Sequence, residues 1–220
     1  MIKLYGLPMS NNVAKVRYCL NELGLEYELV PINPLAGETQ AEDYLEIAPS
    51  GKVPGIDIDG FKLFESNAIN RYLANQKNSP LYPKEAKQRA IVDAWMDFGA
   101  VHIAWAMGRV FFNRFAAPLF GKEKDINSLN TGLEFLARFL PVVDKQLSGK
   151  AYLTGNQMTL ADINLLAILD PAEMSQVDLS QYSNLTKWRN GLKKEKFHQK
   201  CYKDYTSFCQ EQMAQMTGPK

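Results

Sequence analysis

The sequence predicts two domains of different class. Residues 1–76 read as an α/β domain of element order βαβαββα with a mixed sheet, and residues 86–220 as an all-α helical bundle. Three observations carry this. Strand and helix signals alternate up to residue 76, and helical periodicity then runs almost unbroken from 86 to 210. Between them Asn78-Ser79-Pro80-Leu81-Tyr82-Pro83 holds two prolines and no periodic apolar residues, which marks 77–85 as a linker. A chain of 220 residues is long enough to bury a real core.

The elements follow in order. Ile2-Lys3-Leu4-Tyr5-Gly6 is a short strand closed by glycine. Val13, Val16, Leu20 and Leu23 recur at helical spacing, and Gly24 ends that helix. Tyr27 to Ile32 is a second strand, and a weaker helix is predicted around Ala41–Ile47. Val53–Ile58 and Phe61–Phe64 flank Asp59-Gly60, the signature of a hairpin with a type I′ turn. Ser66–Asn75 forms a helix with Ile69, Tyr72 and Leu73 inward. Beyond the linker, Ile91, Ala94, Trp95, Phe98, Ile103 and Trp105 predict a long buried helix, and Phe135, Leu136, Phe139, Leu140 and Val143 another. Thr159-Leu160-Ala161-Asp162 is a capping box, with Met158 and Ile163 placed to staple the entry.

Bulk properties narrow the function classes. Hydrophobic residues at 46% and charged residues at 22% are ordinary for a globular protein. A net charge of +1 gives no reason to expect nucleic acid or an anionic membrane as partner. The N-terminus lacks the apolar core of a signal peptide, and the apolar stretch Phe98–Gly108 is too short to span a bilayer, so a cytoplasmic protein is expected. Cys201 and Cys209, eight apart on one predicted helix, stand about 12 Å apart, beyond disulfide reach. Two histidines and scattered cysteines build no closed zinc site, and no G-x-S-x-G elbow or phosphate-cradling glycine loop occurs. The basic stretch Lys187, Arg189, Lys193, Lys194, Lys196, Lys200, Lys203 reads as a solvated helix face.

The chemistry concentrates in Ser50-Gly51-Lys52-Val53-Pro54-Gly55 and Phe64-Glu65-Ser66-Asn67-Ala68-Ile69. Together they offer a small zwitterionic peptide an exposed backbone edge, an acid for its ammonium and helix-end donors for its carboxylate. Ser66 and the free N–H groups of the first helical turn make an anion site, while Glu65 faces the neighbouring ammonium. The plain alternative is that Ser66 is only an N-cap and Pro54 only a turn proline. Ser10 likewise caps the first helix in its plain reading, and Asn12 faces solvent.

These pieces, with the order of elements and the Thr159–Asp162 box, resemble the cytosolic glutathione transferases over nearly the whole chain. Leu4-Tyr5-Gly6, Met9-Ser10-Asn11-Asn12-Val13-Ala14 and Tyr27-Glu28-Leu29-Val30-Pro31-Ile32-Asn33 look most like the phi class. The resemblance implies a thioredoxin-like first domain, glutathione as co-substrate with no metal, a homodimer, and transfer of glutathione to a small hydrophobic electrophile, with peroxidase chemistry as a side activity. It implies a cis bond before Pro54, with the Val53 backbone pairing to the cysteinyl unit of glutathione. It makes Ser10 the catalytic residue, donating a hydrogen bond to the glutathione sulfur. Lys52 and Gln40 become candidates for the glycine carboxylate; here Thr39-Gln40 departs from the His-Lys of many phi members and lacks one positive charge. The electrophile is expected between the domains, against Leu7 and Met9 and the face His102, Trp105, Arg109, Phe112, which fall at i, i+3, i+7 and i+10. One rival is a non-catalytic glutathione- or ligand-binding module of the same fold, favoured by the missing cation. Another, a glutathione-dependent reductase, needs a cysteine where Ser10 stands.

Overall fold

A computed structural model describes residues 1–119 and 121–201 of the chain, in two compact units. The first comprises Met1–Tyr82 together with residues 195–201; the second spans Pro83–Lys194. In the first unit the strands β1 (Ile2–Gly6), β2 (Tyr27–Pro31), β3 (Gly55–Ile58) and β4 (Phe61–Phe64) form one sheet of order β2-β1-β3-β4. β1 and β2 run parallel, and the other two pairs are antiparallel. The sheet is thus mixed, as the βαβαββα pattern requires.

The helices α1 (Asn11–Glu22) and α3 (Ser66–Gln76) pack on each other and carry the apolar stripes read from the sequence. Leu4, Val13, Val16, Leu20, Ile56, Ile69 and Leu73 are buried. Each such side chain contributes roughly 1.5–3 kcal/mol of transfer free energy. Asn70 fastens the pair by donating to the Lys15 carbonyl at 3.0 Å. Gly6 permits the close approach of β1 to α1, because a Cβ there would collide with Val13. That approach fixes the connecting loop, which bears Ser10. The β3–β4 turn has φ of 51° at Asp59 and 93° at Gly60, as a type I′ turn demands. The expected Ala41–Ile47 helix is shorter: two 3₁₀ turns, Pro34–Ala36 and Glu38–Gln40, lead into α2 (Glu42–Leu45).

Residues 195–201 lie with the first unit rather than with the helical bundle expected to hold them. The reason is local packing. Tyr18 meets the rings of Phe197 and His198 at 5.7 and 5.0 Å, and Asn21 donates to the Phe197 carbonyl at 3.1 Å and to the Cys201 sulfur. Cys19 and Cys201 are buried and in no disulfide among the described residues. Cys209 and Lys203 lie outside the described residues.

The second unit begins with α4 (Ala86–Phe98), α5 (Trp105–Phe111) and the short α6 (Ala117–Leu119), joined by the π-helical stretches Gly99–Ala104 and Phe112–Ala116. α7 (Ile126–Gln146), α8 (Leu160–Leu169) and α9 (Ser183–Leu192) follow. Every residue of α8 is buried, the behaviour of a helix apolar on all sides. The Thr159–Asp162 box stands at its start. The Asp162 carboxylate does more than close that box. It accepts from the Thr159 N–H and hydroxyl, the Leu153 N–H and the Trp188 indole at 2.9–3.2 Å. No helix among the described residues is long and apolar enough to cross a membrane.

Arg189, read as part of a solvated basic face, is buried and forks onto Glu173 at 2.6 and 2.7 Å. Burial pushes the Glu173 carboxyl up, but the Arg189 bonds and charge and nearby Lys193 outweigh it, bringing it to about 2. The ionised carboxylate therefore stabilises the fold above the ordinary glutamate value of ~4.3. That contribution is lost as pH falls from there to about 2. Glu173→Gln is expected to cost about 1 kcal/mol at pH 7, a figure reduced for the solvent exposure of the carboxylate. In urea melts the gap to wild type should close toward pH 2; a gap independent of pH would exclude this titration.

Candidate functional site

The first unit gathers the two chemistry-bearing segments around one small cleft of about 50 Å³. Lys52, Val53, Pro54, Glu65 and Ser66 line it, joined by Asn12 from the first turn of α1 and by Ser50. The Val53–Pro54 bond is cis. Among the described residues the Val53 backbone enters no hydrogen bond, which leaves its N–H and C=O as an unpaired edge. The preceding residue is held from behind, the Lys52 carbonyl accepting from the Tyr44 hydroxyl at 2.8 Å.

Opposite this edge stands the N-terminus of α3. Ser66 is the first helical residue, as the reading of a helix from Ser66 expects; the plain alternative of Ser66 as an N-cap is not met, because Glu65 holds that position. Glu65 takes φ 67°, unusual for a residue with a side chain, and makes no side-chain cap bond. Such a conformation costs about 1–3 kcal/mol and is typical of ligand clamps. Its consequence is twofold. The Glu65 carboxylate is exposed, and the first N–H groups of α3 carry no capping side chain, as an incoming carboxylate requires. Ser66 is 7% exposed. Lys15 of α1 is 2% exposed; burial lowers its ammonium to about 8 against the pull of the Glu65 charge.

Ser10 caps α1, its Oγ accepting from the Val13 N–H at 3.4 Å. This occupies an acceptor lone pair and leaves the hydroxyl proton free to donate. Capping and hydrogen-bond donation to a ligand are therefore compatible in one side chain. Gln40 is exposed and its amide lies against Gly51, next to Lys52, while Thr39 is buried. Ser50 had no role in the sequence reading; the Ser-Gly turn dipeptide was the available signal. Among the described residues no group of three or more His, Cys, Asp or Glu is placed to hold a metal ion.

In the second unit three of the residues read as one apolar face engage α7. His102 stacks on Phe139 at 4.6 Å, Trp105 meets Phe135 at 5.0 Å, and Arg109 donates to the Ser128 hydroxyl at 2.8 Å with its guanidinium 3.9 Å over Trp105. Phe112 is 44% exposed. The i, i+3, i+7, i+10 count assumed a continuous α-helix. The widened turns at Gly99–Ala104 and Phe112–Ala116 shift the phase at both ends of that run. Leu7 and Met9 are half-buried in the loop before Ser10.

Comparison with known proteins bears on both units. Residues 1–75 match the family described as Glutathione S-transferase, N-terminal domain, and residues 103–195 match Glutathione S-transferase, C-terminal domain. Glutathione S-transferase 3 of Zea mays is 36% identical over 167 residues, covering 74% of each chain. Glutathione transferase F7 of Populus trichocarpa superposes with a TM-score of 0.86 at 27% identity, over 93% of this chain and 99% of that one. Glutathione S-transferase I from maize, solved with an atrazine glutathione conjugate, gives 0.85 at 30% identity over 93% and 98%. With family matches on both units and a relative of this identity and coverage, the chain belongs to the glutathione S-transferase family, on its phi-like side.

Proposed function

We propose that this protein is a serine-type glutathione transferase that conjugates glutathione to apolar electrophiles. The observation that carries the reading is the convergence on one cleft of an unpaired Val53 backbone edge, the uncapped start of α3, the Glu65 carboxylate and the Lys52 ammonium. The γ-glutamyl carboxylate binds the N–H groups and hydroxyl at Ser66, and its ammonium faces Glu65. The cysteinyl amide pairs with Val53, while Lys52, helped by Gln40, takes the glycine carboxylate. Ser10 donates a hydrogen bond to the sulfur and so holds it as thiolate. As a side activity the same thiolate attacks the outer oxygen of a hydroperoxide, releasing the alcohol and becoming the sulfenate, which a second glutathione and a proton convert to the disulfide and water. Leu7 and Met9, beside Ser10 in sequence, contact the electrophile; His102, Trp105, Arg109 and Phe112 are the second-unit candidates, three of them also packing on α7.

Retention on immobilised glutathione with elution by the free tripeptide tests the reading, and passage straight through the column refutes it. Glu65→Ala and Ser66→Ala are each expected to raise KM for glutathione about tenfold, the weight of one charge-assisted contact. kcat should change less than about twofold, since ground state and transition state lose that grip alike. A fall in kcat at unchanged KM would contradict the assignment.

A ligand-binding module without catalysis is the second reading, favoured by Thr39-Gln40, which leaves Lys52 as the cation lining the cleft. Column retention without turnover of a chlorodinitrobenzene-type substrate selects it. A homodimer is proposed as well. Phe61 and Phe64 on β4 are 46% and 37% exposed, with Phe61 against Tyr72 at 4.9 Å, an apolar surface suited to a second copy. Sedimentation of Phe61→Asp against wild type checks it.

A further inference from the structure

The first unit contains a larger cavity of about 440 Å³ that shares no lining residue with the glutathione cleft. Its volume lies within the range of small-molecule sites. Two phenol rings frame it, Tyr5 from β1 and Tyr44 from α2, with centroids 6.3 Å apart and planes inclined at 60°. Tyr44 is 2% exposed and anchored by its bond to the Lys52 carbonyl. Burial pushes its phenol up to about 12, so the ring stays fixed and neutral. Ile32, Ala41 and Ile47 complete an apolar wall.

The remaining lining is charged and one-sided. Among the lining residues Glu38, Asp43, Glu46 and Asp57 stand with one ammonium, Lys62, which Glu46 pairs at 2.7 Å; Lys3, opposite Asp57 in the β1–β3 register, is itself opposite Glu28 on β2. Four carboxylates against one ammonium leave three negative charges. Glu38, Asp43 and Asp57 accept from the backbone N–H groups of Asn33, Tyr44 and Gly60, contacts that orient the carboxylates without cancelling their charge. Glutathione and its conjugates are anionic at the glycine end, and this field repels them. A positively charged head gains from it, and its apolar body gains from the rings.

We infer that this cavity is a binding site for an organic cation with an apolar body, of the aryl- or alkylammonium class. The Tyr5 ring, backed by the buried Tyr44, and the apolar wall hold the body, and Glu38, Asp43 and Asp57 hold the charge. Nothing in this assignment depends on the transferase chemistry.

The test is an NMR titration of the full chain with benzyltrimethylammonium, with benzyl alcohol and phenylacetate as neutral and anionic comparators. Saturable shifts centred on β1, α2 and β3 are expected for the cation, with affinity at least tenfold above either comparator. The double variant Glu38→Gln, Asp43→Asn alters two exposed side chains and should fold normally. It is expected to weaken the cation at least threefold. Tyr5→Leu should do the same by removing one ring face. Comparators binding as well as the cation, shifts centred elsewhere, or a loss under threefold in both variants would overturn the assignment.

Discussion

Ser10→Ala is expected to cut conjugation of a chlorodinitrobenzene-type substrate about ten- to hundredfold at neutral pH while the protein stays folded. A hydrogen bond to a charged acceptor contributes about 1.5–3 kcal/mol, and one pKa unit corresponds to about 1.4 kcal/mol. Removing the hydroxyl should therefore raise the pKa of bound glutathione by roughly one to two units, toward the ~8.5 of a free thiol. Because the thiolate is the reactive form, the deficit should shrink as pH rises and bulk base ionises the sulfur unaided. The lost cap is a separate and smaller effect. The Ser10–Val13 bond is long at 3.4 Å, so the stability cost should sit near the low end of the usual range, about 0.5 kcal/mol. Titrating thiolate absorbance in wild type, Ser10→Ala and Ser10→Thr separates the two, since threonine keeps the donor. An unchanged thiol pKa in the alanine variant would remove Ser10 from the chemistry.

Asp162→Asn is expected to be the most damaging single change to stability, about 3 kcal/mol or more. Each carboxylate oxygen accepts twice: Oδ1 from Leu153 and Trp188, Oδ2 from the N–H and hydroxyl of Thr159. An asparagine presents one carbonyl and one NH₂, so one pair of donors meets another donor in a site of 0% exposure. Each buried donor left unmatched costs about 1–3 kcal/mol. Burial pushes the Asp162 carboxyl up while its four donors oppose the shift, so the substitution recovers part of the desolvation cost. That is why the expected loss stays below the sum of four bonds. Against a total stability of roughly 5–15 kcal/mol the change is large. Urea unfolding followed by tryptophan fluorescence reads it directly, since Trp188 is one of the partners. A loss under about 1 kcal/mol would show that the four contacts are not jointly needed.

What the sequence made legible was chemistry carried by neighbours in the chain. Asp59-Gly60 announced its turn because positive φ has few other residents, and Thr159–Asp162 announced a helix start because the box is four residues long. The cleft was legible for the same reason, as Lys52–Pro54 and Glu65-Ser66 are two short motifs. The backbone of Glu65 was not legible, because a glutamate at φ 67° contradicts ordinary propensity. The widened turns at Gly99–Ala104 and Phe112–Ala116 have no residue signature, so helical counting lost phase there. The acidic cavity was illegible for a different reason. Tyr5, Tyr44, Asp57 and Lys62 come from four elements, and only the sheet order brings them together.

The contact of Tyr18 and Asn21 with Phe197, His198 and Cys201 bears on biosynthesis. A ribosome delivers the covering segment 176 residues after Asn21 of α1. Until then the nascent first unit carries an uncovered aromatic patch, a surface for chaperones or for misassociation. This half of the molecule can close only after that distant segment has been made.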